Sequence, residues 1–214
     1  MKIINASYEI LTPISEGGVG ELKMIEAIGR TSYKSEDQIT EDETSAKKFV
    51  EMLIRNGHES VIEHSSLSVK FIVDRGVSHE LVRHRLCSFT QESTRYVNYS
   101  KPGKAPYGIQ FIKPCFFEEK SEEMREWYTC MCDAEFWYLQ MIKLGRKPEE
   151  ARSLLPNSLK TEIVMTTNYR EWRNIFKLRT AKASHPQMRE IMVPLLHELQ
   201  EKIPVVFDDI GGEQ

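Results

Sequence analysis

No run of apolar residues in the sequence approaches the roughly 20 needed to cross a bilayer, so no membrane partner is expected. The opening segment, MKIINASYEILTPI, carries one lysine but no apolar core behind it. It reads as mature chain, not as a signal peptide. Cysteine is scarce: Cys87, Cys115, Cys130 and Cys132 include no CxxC pair, which excludes a zinc ribbon and a disulfide framework. Cys130 and Cys132 lie two apart on a predicted helix and point to nearly opposite sides. Free thiols fit a reducing cytoplasm, the expected location. Histidine pairs at helical spacing with a carboxylate are also missing, so no metal is expected. Neither sign of charge prevails, with 29 basic against 32 acidic side chains. That balance supplies no global field for nucleic acid, and any anion site has to be built by local clustering. The glycines of SEGGVGELK lack the GxGxxG spacing of a dinucleotide loop and read as a turn before a helix.

The 214 residues, 40% of them hydrophobic, suffice for one domain with a sizeable core. No repeat or low-complexity linker divides the chain, although the residues after about 205 fix no element. A strand is predicted over 2–10, and helices over 20–28 and 44–56. The second of these places Ala46, Phe49, Val50, Leu53 and Ile54 at helical spacing. Leu67, Val69, Phe71 and Val73 alternate with polar residues and predict a strand over 66–73. A turn at Asp74-Arg75-Gly76 leads to a helix over 78–87, with Ser78 as its cap. A looser stretch, YVNYSKPGKAPYG, precedes a short strand over 109–112. The strongest helix covers 121–144, between Ser121 and Gly145. Pro148 opens a short helix ending before Pro156. A strand over 159–167 and helices over 169–179 and 187–202 follow, with Pro194 kinking or splitting the last. Strands and helices interleave without a βαβ rhythm, which predicts a single α+β domain with a mixed or antiparallel sheet flanked by helices.

The long helix carries aromatics on more than one face, which suggests core on one side and a subunit contact on another. His64, in ESVIEHSS, is by residue type more often structural than catalytic. The richest segment is RHRLCSFTQESTRY, residues 83–96. On a helix, Val77, Leu81, Val82, Leu86 and Phe89 share one side, and Arg85 falls among them. An unpaired buried guanidinium is prohibitively costly. Either the helix ends earlier, or Arg85 meets a buried anionic or carbonyl partner. Cys87 stands beside basic groups that would lower a thiol pKa, but buried structural cysteine is the commoner case. Ser88, Ser93 and Thr94 are small donors that a solvated basic face does not require. TTNYREWRNIFKLR adds Asn168, Arg170, Arg173, Asn174 and Arg179, with Arg170 and Asn174 four apart on one helix face. Together these segments predict a pocket for an anion and a heterocycle. A nucleic-acid module using Arg and Tyr contacts is the rival reading, and the near-neutral charge opposes it. A purely structural homo-oligomer leaves the Arg-Asn constellation unexplained.

Arg83, His84, Arg85, Ser88, Ser93 and Arg95 stand at the spacing RHR-x2-S-x4-S-x-R, which resembles the signature of the flavin-dependent thymidylate synthases. ESVIEHSS, EARSLLP, TTNYREWRNIFKLR and SHPQMREI are similar to further segments of that family, in order, over roughly residues 1–205. The resemblance implies a homotetramer with active sites shared between subunits. It implies FAD as cofactor and dUMP as substrate, with NADPH and methylenetetrahydrofolate as co-substrates and tetrahydrofolate released. The dUMP contacts would be Glu80, Leu81, Val82, Arg83, the segment Gln91, Glu92, Ser93, Thr94 and Arg95, and Arg152. Arg179 would bind uracil and help ionise its N3, acting as the catalytic residue. FAD would meet Ser66, Arg83, His84, Arg85, Gln91, Asn168, Tyr169, Arg170 and Asn174, with His64 near flavin or folate. Members often have Asn-Glu where this chain has Thr90-Gln91, and a glutamine where it has Glu80. Nothing around Cys87 resembles the cysteine nucleophile of classical thymidylate synthase.

Overall fold

Alternation of apolar and polar residues produces the strand it predicts: Leu67, Val69, Phe71 and Val73 are fully buried along Ser66–Asp74. Each contributes about 2 kcal/mol by leaving water. The computed structural model describes residues 1–103 and 108–211, so part of the predicted loop YVNYSKPGKAPYG lies outside the described residues. The strands are β1 (Lys2–Ile4), β2 (Ser7–Ile10), β3 (Ser66–Asp74), β4 (Ser88–Gln91), β5 (Gln110–Ile112) and β6 (Lys160–Asn168). The helices are α1 (Val19–Tyr33), α2 (Thr44–Arg55), α3 (Arg75–Leu81), α4 (Glu122–Lys143), α5 (Pro148–Ala151), α6 (Tyr169–Arg179) and α7 (Pro186–Lys202). β1 and β5 pair in parallel, and the four-stranded sheet has the order β2-β3-β6-β4. The architecture is α+β, as the irregular interleaving predicts. No helix among the described residues is long and apolar enough to cross a membrane.

Two compact units divide the chain. One comprises residues 1–8, 70–84 and 89–164. In it the register Lys2 to Gln110 aligns β1 and β5, and Phe111 bridges antiparallel to Leu159. Met131 and Tyr138 of α4 pack with Tyr99, Ile109, Phe111, Ala151 and Leu159 as a core cluster. The Ser121 hydroxyl caps α4 by accepting from the Met124 N–H at 3.1 Å, and Gly145 beyond its other end has φ +85°. Aromatics do occupy more than one face of α4, since Tyr128, Phe136 and Trp137 are exposed.

The other unit comprises residues 9–69, 85–88 and 165 onward. There α1 packs on α2 and α6 on α7, and a single 3-10 turn, Val61–His64, touches both α1 and α6. A Cβ on Gly29 would stand 2.5 Å from the Phe49 ring, so α1 and α2 approach closely only with glycine there. Gly18, at φ +66°, precedes α1 against the end of α7, where a Cβ would meet the Lys202 carbonyl at 2.8 Å. The glycine cluster is thus a tight turn. Past residue 205 the chain still packs: Val206, Phe207 and Ile210 are buried.

Some predicted elements differ in extent, α1 among them, which runs on to Tyr33. The first strand is two short ones, interrupted at Asn5-Ala6. Pro194 does not split α7; it lies on the solvent side, where water can serve the carbonyl that loses its partner. α3 begins earlier and ends earlier than its periodicity predicts. Its cap is Asp74, whose carboxylate accepts from the Val77 N–H at 2.7 Å. Pairing of Ser88–Gln91 as an edge strand overrides helical propensity beyond Leu81. Leu86 is consequently 78% exposed and Arg85 is exposed too, so the earlier end of the helix resolves the misplaced charge.

Arg173 is the strongest tie of α6. Its guanidinium, 2% exposed, pairs with Asp209 at 2.6 and 2.7 Å and with Glu59 at 3.1 Å, and bonds the Val206 carbonyl. It therefore belongs to no anion pocket. Bonding to Arg173 holds the Asp209 carboxyl below its ordinary value of 3.8. A depressed folded pKa means stability that is present above the unfolded value and lost as pH falls through the folded one. Asp209→Asn is therefore expected to lower the urea midpoint at pH 7, and the gap from wild type should close as pH falls below about 4. A gap that persists undiminished in acid would refute the ion pair.

Candidate active site

In the first unit lie the predicted positions 80–84, 91–95 and Arg152. Leu81 ends α3 fully buried, so any ligand contact there is main-chain. Val82 and Arg83 are exposed, whereas His84 is buried beneath the turn its N–H closes on the Leu81 carbonyl at 3.1 Å. β4 delivers Gln91, whose side-chain NH2 donates to Ser78 Oγ at 2.9 Å and Thr161 Oγ1 at 3.1 Å, both buried hydroxyls. Beyond it the loop turns: the Tyr96 and Val97 N–H groups donate to the Ser93 carbonyl at 3.2 and 3.0 Å. Thr94 is buried and accepts from Arg152 Nη1 at 3.3 Å, which brings Arg152 onto this loop. Arg95 is exposed, lies 5.5 Å over the Tyr96 ring and stands 3.7 Å from Glu149. Two solvent-facing guanidinium groups flanking a hydroxyl-bearing turn can receive a phosphate through paired N–H donors.

The second unit holds His64, Ser66, Arg85, Asn168, Tyr169, Arg170, Asn174 and Arg179. Three bonds gather the beginnings of β3 and α6. The Tyr169 N–H donates to the Ser65 carbonyl at 2.9 Å, Trp172 Nε1 to the Leu67 carbonyl at 3.1 Å, and Arg170 Nη1 to Glu63 at 2.5 Å. That last bond raises the Arg170 pKa further. Asn168 caps α6 by accepting from the Glu171 N–H at 2.9 Å, and Asn174 Nδ2 donates to the Glu171 carboxylate at 3.3 Å. Arg170 and Asn174 share an exposed face, as their spacing predicts. His64 and Ser66 are exposed as well. Ser65 beside them is buried, and its hydroxyl has no hydrogen-bond partner among the described residues. An orphan hydroxyl amid exposed arginine, amide and hydroxyl donors suits a polar ligand with pyrophosphate and heterocyclic edges, which is what FAD presents. Tyr169 differs from the others. Its ring is buried 5.7 Å from that of Phe207, and burial pushes its phenol pKa strongly upward.

Cys87 lies half-buried in the same unit. Desolvation pushes its thiol up to about 11, a bond with Thr167 partly offsets this, and the charge of Glu171 adds to it. At neutral pH it is protonated and not nucleophilic. Sequence periodicity leaves other groups unseen. Lys160 and Tyr99 bind the Glu92 carboxylate, and Arg30 and Glu26 form a buried pair beside a cavity of about 630 Å³ between α1 and α2. None of the predicted site residues lines that cavity. Only the placement of Arg30 four residues after Glu26 hints at their pairing.

The family described as thymidylate synthase complementing protein matches residues 19–205. The chain belongs to this family. Its relatives include the flavin-dependent thymidylate synthase of Corynebacterium aurimucosum, 30% identical over 92% of this chain and 82% of that one. The enzyme of the same name from Mycolicibacterium vanbaalenii is 32% identical over the same shares. Among solved structures, a UMP/dUMP methylase PolB from Streptomyces cacaoi bound with 5-Br dUMP superposes with a TM-score of 0.77. It covers 97% of this chain and 96% of its own at 23% identity, a likeness of fold. Membership makes the chain an enzyme of the methyltransferase class. In a variant retaining only Cys87, alkylation by iodoacetamide is expected to be slow at pH 7 and to accelerate towards about pH 11. A midpoint near 8.5 would show an ordinary, accessible thiol.

Proposed function

We propose that the protein methylates dUMP to dTMP as an FAD-dependent thymidylate synthase, taking the one-carbon unit from methylenetetrahydrofolate and electrons from NADPH, and releasing tetrahydrofolate. The supporting observation is the loop on which Ser93, Thr94, Arg95 and Arg152 are brought together, in a member of this family. Arg95 and Arg152 would hold the phosphate dianion of dUMP, with Ser93 as a further donor and the main chain at 80–83 facing the nucleotide. Arg179 would lie against uracil. A guanidinium there stabilises negative charge spreading onto N3 and O4, which raises electron density at C5, the carbon to be methylated. This activation needs no thiol, in keeping with a protonated Cys87.

Ser66, Arg83, His84, Arg85, Gln91, Asn168, Arg170 and Asn174 would hold FAD, and Tyr169, whose ring is core, would contribute only its main chain. His64 would stand near flavin or folate. Bound FAD supplies the redox chemistry that no side chain of this protein provides. We assign the working form as a homotetramer with shared active sites, acting in the cytoplasm. The purified protein is expected to be yellow and to release tritium from C5-labelled dUMP only with NADPH and methylenetetrahydrofolate present. No release under those conditions would sink the assignment. Arg179→Ala is expected to lower kcat by about 100-fold or more, the loss typical of one preorganised charge-stabilising donor. Cys87→Ala should retain activity, and a dead Cys87→Ala variant with FAD still bound would restore the thiol route.

A further inference from the structure

We infer that the Glu92 carboxylate does not contact the nucleotide but staples the loop that does. Its Oε1 accepts from the Tyr99 hydroxyl at 2.7 Å, and its Oε2 from Lys160 Nζ at 2.9 Å. Its N–H donates to the Glu162 carbonyl at 2.8 Å. With the Glu92 side chain 16% exposed and that of Lys160 13% exposed, the carboxylate is committed inside its own unit. The inference rests on the dUMP reading and assigns Glu92 as a positioning residue.

The Tyr99 bond spans seven residues and closes a ring of chain that carries Ser93, Thr94, Arg95 and Tyr96. Tyr99 is itself anchored, for it is buried and its N–H donates to the Tyr138 hydroxyl at 3.4 Å. Burial and the neighbouring Glu92 charge push the Tyr99 phenol pKa strongly up, so it stays a donor throughout the physiological range. On the other side Lys160 also bonds Glu162 at 2.6 Å, and the second oxygen of Glu162 holds Lys70 at 2.5 Å. Two ammonium groups thus alternate with two carboxylates, and the set is neutral. Inside the ring the backbone bonds are short-range, such as the Arg95 N–H to Ser93 Oγ at 3.3 Å, and the long-range contacts are made by side chains of the candidate site itself, Arg152 to Thr94 at 3.3 Å and Arg95 to Glu149 at 3.7 Å. The short-range bonds shape a turn but do not fix its direction. Cutting the staple would leave Ser93 and Arg95 to be ordered by the ligand, and that ordering is subtracted from its affinity.

The test is calorimetric titration of the FAD-loaded protein with dUMP. Tyr99→Phe is expected to raise the dUMP Kd about tenfold, the factor for one charge-assisted hydrogen bond at the low end of its range. FAD content and the rate of NADPH oxidation without dUMP should stay unchanged, which a merely destabilised fold would not allow. Glu92→Ala removes both acceptor oxygens and should weaken binding at least as much, and the double variant should bind no more weakly than Glu92→Ala, which already lacks the acceptor of the Tyr99 bond. Lys160→Met, which cuts the other oxygen's bond, is expected to act in the same direction and serves if Tyr99→Phe does not fold. An unchanged Kd in Tyr99→Phe, with wild type binding dUMP, overturns the staple alone, as does loss in Glu92→Ala that adds fully to that of Tyr99→Phe. Wild-type holoenzyme that takes up no dUMP overturns the functional reading, and the staple's role with it.

Discussion

A guanidinium withdrawn from water needs partners, and this constraint separates two buried arginines from the exposed ones of the candidate site. Arg30 and Arg173 are buried, and their donors are engaged. Arg30 bonds Glu26, Ser35 and Gln38 and lies 4.7 Å over the Phe49 ring. Arg173 bonds Glu59, Asp209 and the Val206 carbonyl. Both act as girders, one fastening α1 and the segment after it, the other fastening α6 to the chain beyond α7. Arg83, Arg85, Arg95, Arg152 and Arg170 are of the second kind, exposed, so that a ligand can replace their water, although Arg170 already pairs with Glu63 and Arg152 with Thr94. Because guanidinium is weakly hydrated and geometrically rigid, that exchange costs less than it would for lysine. Of the exposed arginines, Arg170 projects from α6, the helix that Arg173 fastens.

This sorting explains where sequence reading succeeded. The strand β3 and the helices α4 and α6 were legible because one residue's environment repeats at the period of its own element. Ser121 before α4 is legible as a cap for the same local reason, whereas Asn168 reads as a ligand residue and proves to be the cap of α6. The signature around Arg83 was legible as a fixed spacing of donors. Arg173 was misjudged because its acceptors are remote in sequence, Asp209 lying 36 residues on and Glu59 lying 114 back. Arg85 is ambiguous in the sequence for the opposite reason. Its local pattern continued a helix that non-local strand pairing had already ended.

Glu92 and Gln91 show the same limit at the heart of the candidate site. A glutamate beside Ser93 and Arg95 reads from sequence as a ligand contact. Only the arrival of Lys160, 68 residues later, and of Tyr99 from the far side of the loop makes it a structural anion. Charge on a binding loop is thus not evidence of charge offered to a ligand. Each carboxylate oxygen of Glu92 is bonded within the chain, so the loop presents its guanidinium groups without a competing carboxylate at that position.

Gln91 carries the argument one step further. The Ser78 hydroxyl donates its hydrogen to the Arg75 carbonyl at 3.0 Å and therefore meets Gln91 as an acceptor. An amide supplies the donor that this geometry requires. A carboxylate at the same place would oblige Ser78 to abandon Arg75, or would face a buried oxygen without a proton between them. The glutamine that departs from the family's common Asn-Glu pair is therefore matched to Ser78 and Thr161 beneath it. With both amide hydrogens spent on those hydroxyls, only the carbonyl oxygen of Gln91 remains for a ligand. Whatever Gln91 offers to a bound nucleotide or flavin is an acceptor, directed at an N–H edge and not at a phosphate.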